Sequence, residues 1–422
     1  MTSHEFKVRH RSNNKAFLRE RRLPFSLVLV LIMRNSVKSL QNVVNEAMTW
    51  LERPTVTASA YSQARYKLKH TAFIELNQAA VVETLYADQD YQTFWGFRVL
   101  AVDGSKLVLP DHEAIRAEFG TIAWTSGKTS EIQGERPYAL ASVLYDVLNR
   151  VALDATLGHA KAYEIDLAVG HLPQTRQGDL LTMDRNYPSY RMLAELQQCG
   201  REFAIRCSAA SFAEVRQMLK GEGSDSQVVT LTPCAGQKPI IREKGLPLSL
   251  KVRLVRVLLA TGEYEVLVTS LLDESQYPTA EFRELYHLRW GVETFYGLLK
   301  TRLELENFTG IGVEAIRQDF YATLYLCGLE SMLTDTAQTI LNSKLTRYPQ
   351  TVNRAVSFNA IKHLALDLLL ESGLETDPLL DQLTQLFMKN PCLERRHRNP
   401  PRKKSSARTL LNFHKRQKKH CF

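Results

Sequence analysis

The chain has 422 residues, of which 44% are hydrophobic and 23% charged, so its composition excludes wholesale disorder and allows two or three domains. The formal net charge is +9, and the eleven Lys and Arg residues that follow Glu394 exceed this value by themselves. The six cysteines form no CxxC pair, which argues against a zinc ribbon or a disulfide framework.

Both ends of the chain are basic. No acidic residue follows Glu394, and a second group of cations lies near the start, at Arg9, Arg11, Lys15, Arg19, Arg21 and Arg22. Such ends favour a polyanionic partner such as nucleic acid, and a merely solubilising tail is the alternative. The apolar run 27–33 is shorter than the roughly 20 residues that span a bilayer. We interpret it as a buried helix of a cytoplasmic protein that does not associate with membranes.

Residues 1–95 are predicted to be mainly helical. Residues 26–50 have helical apolar spacing, and Arg53-Pro54 ends that helix. Residues 59–83 indicate one or two further helices, which carry Arg65 and other cations beside Tyr61 and Tyr66. A basic helix with aromatic residues suits a DNA groove, and a solvated helix face is the alternative. We assign residues 1–95 to an α-helical N-terminal DNA-binding domain.

The pattern changes to alternating strands and helices in residues 96–199. The apolar run 97–102 ends at Asp103, and a later strand, 179–183, ends at Asp184. Between them, the sequence predicts a hairpin of strands 139–145 and 151–156, followed by a helix over 161–172. This order is that of the first half of an RNase H-like α/β fold. Acids at strand ends are expected at the mouth of the sheet.

The remainder of the chain is predicted to contain a β-strand-rich insertion and then helices. Strand-like runs in residues 200–270 are separated by Gly and Pro, and their last strand could return to the main sheet; the runs are 202–207, 227–231, 248–259 and 264–270. Helical patterns dominate from Thr279 to about Phe387. We assign 271–330 to the second part of the core, 331–394 to a C-terminal helical region and 395–422 to a basic tail.

One predicted helix carries an unusual polar stripe. At about 100° per residue, Tyr286, Arg289, Glu293 and Lys300 fall within about 60° of one another. The opposite face is apolar, with Leu285, Leu288, Val292, Phe295 and Leu299. The carboxylate suits a hard cation, and the flanking cations and phenol suit phosphate groups. This stripe therefore predicts a site rather than a plain solvated face.

Three acids are candidates for one metal centre: Asp103, Asp184 and Glu293. Phosphodiester transfer needs charge neutralisation at the attacking and leaving oxygens, which two divalent ions held by a few carboxylates provide. Carboxylate oxygens suit Mg²⁺, with Mn²⁺ as a substitute. Asp103 and Asp184 each precede turn-forming residues, so a turn or a helix cap is the alternative for either acid taken alone.

The motifs around these acids have the order and spacing of one enzyme family. They are Asp103-Gly104-Ser105, Asp184-Arg185-Asn186-Tyr187, and the series Tyr-x2-Arg-x3-Glu-x6-Lys at Tyr286, Arg289, Glu293 and Lys300. In this combination, the chain resembles the DDE transposases of bacterial insertion sequences, in the insertion-sequence-four family, over roughly residues 20–400. Segments 62–65 and 142–146 also resemble that family.

The resemblance implies an RNase H-like catalytic core interrupted by the β-rich insertion, with Asp103, Asp184 and Glu293 as catalytic residues and metal ligands. The implied partners are Mg²⁺ and double-stranded DNA, both transposon inverted repeats and target, bound by a nucleoid-associated homodimer. The implied reaction is cut-and-paste transfer, often through a DNA hairpin. We assign DNA-phosphate binding to Tyr286, Arg289, Lys300, Arg185 and Arg65.

In relatives, an aromatic residue of the insertion stacks on a flipped base; Phe203, Phe212 and Tyr264 are the candidates here. Trp290, next to the stripe, is interpreted as a packing residue, and neither it nor His287 is included among the catalytic residues. Three alternatives remain open from the sequence. They are a nuclease that cuts without joining, a catalytically silent transposase-derived DNA-binding protein, and a nucleic-acid-binding scaffold whose acids only cap helices and turns.

Overall fold

The computed structural model describes residues 1, 3–19, 22–34, 38–87, 89–125, 132–259, 262–365 and 376–394. The predicted basic tail, 395–422, and Arg21 of the N-terminal basic group lie outside the described residues. The helices are α1 His4–His10, α2 Phe25–Met33, α3 Leu40–Trp50, α4 Ala58–Arg65, α5 Thr71–Asn77, α6 Glu83–Ala87, α7 Glu113–Phe119, α8 Glu164–Gly170, α9 Tyr190–Gln198, α10 Ala213–Leu219, α11 Lys238–Glu243, α12 Phe282–Leu288, α13 Trp290–Gly297, α14 Val313–Ser343, α15 Arg354–Ala360 and α16 Thr376–Lys389.

The strands alternate with these helices. They are β1 Arg98–Val108, β2 Thr121–Thr125, β3 Ile132–Asp146, β4 Val151–His159, β5 Asp179–Met183, β6 Glu202–Cys207, β7 Ser226–Leu231, β8 Leu250–Leu258, β9 Tyr264–Thr269, β10 Gln350–Thr351 and β11 Cys392–Leu393. The predicted α/β class is therefore confirmed. Helix α7 and strand β2 were not expected, and β1 runs six residues further than the predicted strand, to Val108.

Most strands belong to one mixed sheet, in the order β2-β3-β1-β5-β6-β9-β8-β7, with β4 also paired to β3. The central strands β1, β5 and β6 run parallel, and β9, β8 and β7 add to β6 in antiparallel fashion. The strands expected in the insertion are thus present, and β9 returns to the main sheet as the sequence suggested. They extend this sheet instead of forming a separate layer, because β9 hydrogen-bonds directly to β6.

The described chain divides into two compact units. The sheet unit comprises residues 89–107 and 139–297, and the helical unit comprises the described residues within 1–88, 108–138 and 298–394. The six segments predicted from the sequence do not coincide with these two units, and they stay predictions.

The core of the sheet unit lies between the central strands and α12. Val99 of β1, Leu180 of β5 and Leu267 of β9 form one buried cluster with Phe282 and Leu285 of α12. Burial of an aliphatic or phenyl side chain stabilises a fold by about 1.5–3 kcal/mol. The apolar face of the polar-striped helix is therefore what fixes that helix to the sheet.

The helical unit packs around α14, which has 31 residues. Helices α2, α5 and α16 contact α14 along its length. The apolar run predicted to be a buried helix is α2, in which residues 27–33 are at most 2% exposed. Among the described residues, no helix is both long enough and apolar enough to cross a membrane.

Candidate active site

Asp103 lies in β1, and Asp184 directly follows β5, the parallel strand beside β1. Strand β1 pairs with β5 from Arg98 opposite Asp179 to Ala101 opposite Thr182, and the same register extended by two residues places Asp103 beside Asp184. Neighbouring strands are about 4.8 Å apart, so the two carboxylates share one edge of the sheet. Asp103 lies within β1 and not at its end, which corrects the predicted strand boundary. Asp184 directly follows β5, as expected.

A tight turn holds the Asp184 carboxylate. The backbone N–H of Asn186 donates to Asp184 Oδ1 at 2.8 Å, and that of Tyr187 donates to the Asp184 carbonyl at 3.2 Å. This is the turn-forming role foreseen as an alternative for Asp184, and it leaves Oδ2 for another partner. Arg185, in the same turn, is exposed.

Glu293 is brought to this edge by α13. Phe295 stacks on Tyr145 of β3 with ring centroids 4.4 Å apart. The buried Tyr296 hydroxyl shares its one proton between the carbonyls of Asp103 and Ala141, at 3.0 and 2.9 Å. These contacts connect α13 to both β1 and β3. Glu293 precedes Tyr296 by three residues, so the two side chains lie on the same face of α13 and Glu293 is directed toward the strand that carries Asp103.

Arg289 holds the Glu293 carboxylate from within the protein. Its Nη2 donates to Glu293 Oε1 at 2.8 Å, and its side chain is 3% exposed whereas that of Glu293 is 38% exposed. The guanidinium also lies over the rings of Tyr286 and Trp290, at 5.3 and 4.8 Å. A charge-assisted hydrogen bond of this kind fixes the direction of the carboxylate.

The polar stripe predicted on a single regular helix is only partly present. Tyr286 and Arg289 are buried, and the Tyr286 hydroxyl has no hydrogen-bond partner among the described residues. Neither side chain is placed to contact phosphate as it stands. Lys300 lies in a π-helical segment, Leu298–Arg302, in which the 100° spacing used for the prediction does not hold. Trp290, expected to pack, is 39% exposed.

The charges of Asp184 and Glu293 both act on Asp103. Burial and the charges of Asp184 and Glu293 raise the pKa of Asp103 to about 7, against the opposing effects of the Gly104 N–H and of Arg289. Carboxylates that share a site disfavour one another's ionised forms, and a cation placed among them removes this cost. A raised carboxyl pKa at the sheet edge is therefore consistent with a cation site.

The donor set fits a hard divalent cation in its chemistry. Asp103, Asp184 and Glu293 offer only carboxylate oxygens, which Mg²⁺ prefers. In the part of the chain that the structure describes, however, no three His, Cys, Asp or Glu side chains are close enough to ligate one ion as they stand. Binding would need these side chains to rotate toward one another. The hydroxyl of Tyr187, buried beside these acids, makes no hydrogen bond within the described residues and marks unfilled polar space.

Three residues of the site were missed by the sequence analysis. Glu164, at the start of α8, approaches Gly104, and the buried phenols Tyr187 and Tyr296 lie under the acids. Tyr187 was part of a recognised motif but had no role assigned to it. Glu164 belongs to no local pattern, because the strand β1 that it faces is about sixty residues away in sequence.

Arg65 is not available to DNA, which corrects its assignment as a phosphate-binding residue. Its side chain is buried, and its guanidinium donates to Gln318 at 2.6 Å, to the Ala315 carbonyl at 2.8 Å, to Asp319 at 2.6 Å and to Thr309. It therefore links α4 to α14 inside the helical unit. Tyr61 is also buried, whereas Tyr66 is 57% exposed.

The aromatic candidates of the insertion differ in exposure. Phe203 is 1% exposed in β6, which removes it from the candidates for base stacking. Phe212, before α10, is half-buried. Tyr264 begins β9 and is 38% exposed, with the Arg256 guanidinium 5.0 Å from its ring centroid.

Residues 95–327, more than half of the chain, match the family model of the transposase DDE domain. The chain belongs to this family. The matched residues include Asp103, Asp184 and Glu293.

Two individual proteins are similar to this family member. Transposase InsG for insertion sequence element IS4 of Escherichia coli (strain K12) is 26% identical over 303 residues, which are 69% of this chain and 65% of that protein. The chain thus spans about 65% of the length of this relative. The second is a cryo-EM structure of the piggyBac transposase synaptic complex with hairpin DNA. The match covers 96% of this chain and 84% of the chain in that structure, at 11% identity and a TM-score of 0.44.

Proposed function

We propose that the protein is a DNA transposase that cleaves DNA at transposon ends and transfers the cut strand into target DNA. The observation that carries this proposal is the convergence of Asp103, Asp184 and Glu293, on a chain of the transposase DDE family. The register of β1 and β5, extended by two residues, supports the pairing of the two aspartates, and the charge of Glu293 acts on Asp103.

We assign the divalent-metal site to these three carboxylates, with Mg²⁺, or Mn²⁺ as a substitute, and two ions in total. When bound, such ions activate a water or a 3′-hydroxyl as nucleophile and neutralise charge on the leaving oxygen. Asp103 must lose its proton to serve as a ligand, because only a carboxylate binds a hard cation well.

The chain's own residues prepare the site before any ion arrives. The Asn186 N–H fixes one oxygen of Asp184 and leaves the other free to turn outward. Arg289 sets the direction of Glu293, so we propose that it acts on this carboxylate and reaches phosphate only if the helix shifts. Arg185, exposed next to Asp184, is the phosphate-binding candidate that the structure supports best, and Lys300 stays a second one.

The substrates follow from the same proposal. We propose double-stranded DNA, as inverted repeats and as target, bound by a homodimer on paired ends, and a cut-and-paste reaction. The sheet of parallel β1, β5 and β6 with the β3–β4 hairpin supports an RNase H-like description of the core. If a hairpin intermediate forms, Tyr264 is the most exposed aromatic candidate for base stacking. We also propose that the protein is cytoplasmic and associated with the nucleoid.

The proposal is tested by nicking and joining of a labelled duplex that bears the inverted repeats flanking this gene, in Mg²⁺, with wild type beside Asp103→Asn. The wild type should nick at the repeat boundary and join the 3′ end to target DNA, and the variant should do neither. Cutting without joining would instead identify a nuclease. Binding without cutting in either Mg²⁺ or Mn²⁺ would identify a catalytically silent DNA-binding protein.

A second variant separates the site from the rest of the molecule. Glu293→Gln should keep binding to the DNA ends and lose at least about 100-fold in cleavage rate, because an amide is a much weaker metal ligand than a carboxylate. The control is Glu284→Gln, an exposed acid on α12, which should cleave normally. Binding is measured by gel shift and cleavage on the same preparation. Wild-type cleavage by Glu293→Gln would show that the site is wrongly assigned.

A further inference from the structure

A fourth carboxylate lies beside the predicted catalytic acids. Glu164 is the first residue of α8, and its side chain packs against the backbone of Gly104 in β1. A methyl group added at Gly104 would lie 3.2 Å from Glu164 Oε1 and 3.4 Å from its carboxyl carbon. The backbone at Gly104 is not in the left-handed region, so its conformation does not require glycine. The glycine instead leaves room for this carboxylate next to Asp103.

The surroundings of Glu164 are those of the proposed metal centre. Burial and the charge of Asp184 raise its pKa, and Lys106 opposes this effect. The phenol of Tyr187 lies in the same neighbourhood. The pKa of Tyr187 is raised by burial and then by the charges of Glu164, Asp103 and Asp184, so this phenol lies near all three carboxylates. The effects on Glu164 and on Tyr187 therefore both place Glu164 close to the predicted catalytic acids.

An independent observation indicates a missing polar ligand. Tyr187 is 1% exposed, and its hydroxyl has no hydrogen-bond partner among the described residues. A buried hydroxyl normally has a partner, and leaving one unsatisfied costs about 1–3 kcal/mol. Carboxylates that surround a hydroxyl without accepting its proton leave space for water or an ion between them. A simple surface ion pair of Glu164 with Lys106 would not account for this unsatisfied hydroxyl.

We propose that Glu164 is a fourth carboxylate of the metal centre, which holds an ion, directly or through one of its waters, from the Gly104 side of β1. This inference rests on the proposed function, because Glu164 has nothing to hold unless Asp103 and Asp184 bind metal. The inference gives helix α8 a role in the metal site, whereas the motif of three acids includes no residue of α8.

The test is calorimetric titration of the full chain with Mn²⁺, without DNA, so that the readout is metal affinity and not activity. Glu164→Gln should weaken Mn²⁺ binding about 10–100-fold, the usual effect of removing a group that supports a metal ligand. The matched control is Asp166→Asn on the same helix, whose carboxylate is exposed and pairs with Arg191 at 2.7 Å. This control should bind Mn²⁺ as the wild type does. The unfolding midpoint in EDTA, measured for each variant, separates lost affinity from lost folding.

A third variant distinguishes the two levels of the proposal. If Asp184→Asn abolishes Mn²⁺ binding and Glu164→Gln leaves it at the wild-type value, the role of Glu164 is overturned and the proposed function stands. If Asp184→Asn also binds Mn²⁺ normally, the metal site itself, and with it the proposed function, is wrong.

Gly104→Ala is a second test, because it leaves the Glu164 carboxylate chemically intact but changes its position. The added methyl group should push Glu164 by a few tenths of an ångström and weaken Mn²⁺ binding several-fold in an otherwise wild-type chain. In the Glu164→Gln background the same change should have no further effect on Mn²⁺ affinity. An equal loss in both backgrounds would mean that Gly104 acts on Asp103 alone, and the proposal would fail. If Glu164→Gln does not fold, the test becomes Gly104→Ala beside Gly104→Ser, where the larger side chain should weaken binding more.

Discussion

The Asp103 carboxyl lies where its charge is disfavoured, and this has a measurable cost in stability. Its pKa is about 7 in the folded protein and near 3.8 in the unfolded chain. Between these values the folded state keeps a proton that the unfolded state has lost, so the free energy of unfolding falls as pH rises through this window. The acid thus contributes most to stability below about pH 4 and least above about pH 7.

Asp103→Asn removes this pH dependence. In EDTA at pH 8 the variant should be more stable than the wild type by roughly 2 kcal/mol, after allowance for solvent screening of a half-buried group, and the difference should vanish near pH 4. Urea unfolding at the two pH values measures it, with Asp166→Asn as an exposed control. An equal difference at both pH values would show that Asp103 does not have a raised pKa.

Arg65 illustrates how burial changes the meaning of a basic residue. Asp319, its partner at 2.6 Å, has a fully buried side chain. Arg65→Met keeps most of the stem and leaves that carboxylate without its cation, so we expect a loss of about 3–5 kcal/mol in unfolding free energy. The exposed control Lys67→Met should stay within about 0.5 kcal/mol of the wild type. The original phosphate-binding interpretation would return if Arg65→Met weakened DNA binding and left stability unchanged.

At the residue scale, the sequence supports a prediction where the signal is local. The acids and their spacing were readable from short motifs, and the register of β1 and β5 supports the pairing of Asp103 with Asp184. The burial of Arg65 could not be predicted, because its partners lie about 250 residues away in the sequence. Without knowledge of those partners, a basic residue is interpreted as a surface cation. The π-helical segment at Lys300 likewise has no sequence signal of its own.

At the scale of elements, β1 and β5 are locked at the end opposite the acids. Arg98 and Asp179 are register partners, both buried, and the guanidinium donates to the carboxylate twice, at 2.7 and 2.8 Å. The following residues, 99–102 and 180–183, are buried whichever face they occupy, so apolar packing alone does not exclude a two-residue slip. We infer that the ion pair selects the register that brings Asp103 beside Asp184.

This inference predicts a separation of stability from activity. Arg98→Met alone should cost about 3–5 kcal/mol, because it leaves Asp179 buried and unpaired. Arg98→Met with Asp179→Leu should recover most of that stability, since apolar replacement of both partners removes the buried charge. DNA cleavage should not recover with it. Parallel recovery of unfolding free energy and cleavage rate would show that the pair does not select the register.

In the β-rich insertion, the strands were predicted from the sequence and the short helices were not. Its strands were recognisable from apolar runs between Gly and Pro, and their observed bounds differ by at most two residues. Helices α10 and α11 were missed because they have seven and six residues, too few for a periodic pattern to emerge. That the strands extend the main sheet follows from the pairing of β6 with β9, which no local pattern specifies.

At the scale of the whole molecule, the charge distribution makes the tail the expected source of non-specific DNA affinity. A chain ended after Glu394 should bind DNA more weakly, and log K should fall less steeply with log salt, by up to about 0.9 per cation that contacts a phosphate. A tail of equal length in which the cations are replaced by Gln separates charge from chain length and should behave like the truncation. An unchanged salt dependence would exclude the tail from the binding surface.

The order of the acids along the chain also means that they are made at different times. Asp184 is synthesised before β6 to β9, and Glu293 only after them, which at about 5–20 residues per second is a delay of roughly ten seconds. Until β9 is made, the edge of β6 to which β9 bonds in the complete chain stays uncovered. A product stopped before β9 would carry the two aspartates but not the glutamate, and it would expose the edge of β6 that β9 covers in the complete chain. Exposed strand edges pair with other chains. Interrupted synthesis should therefore yield aggregation and proteolysis, and not a fragment that cuts DNA without control.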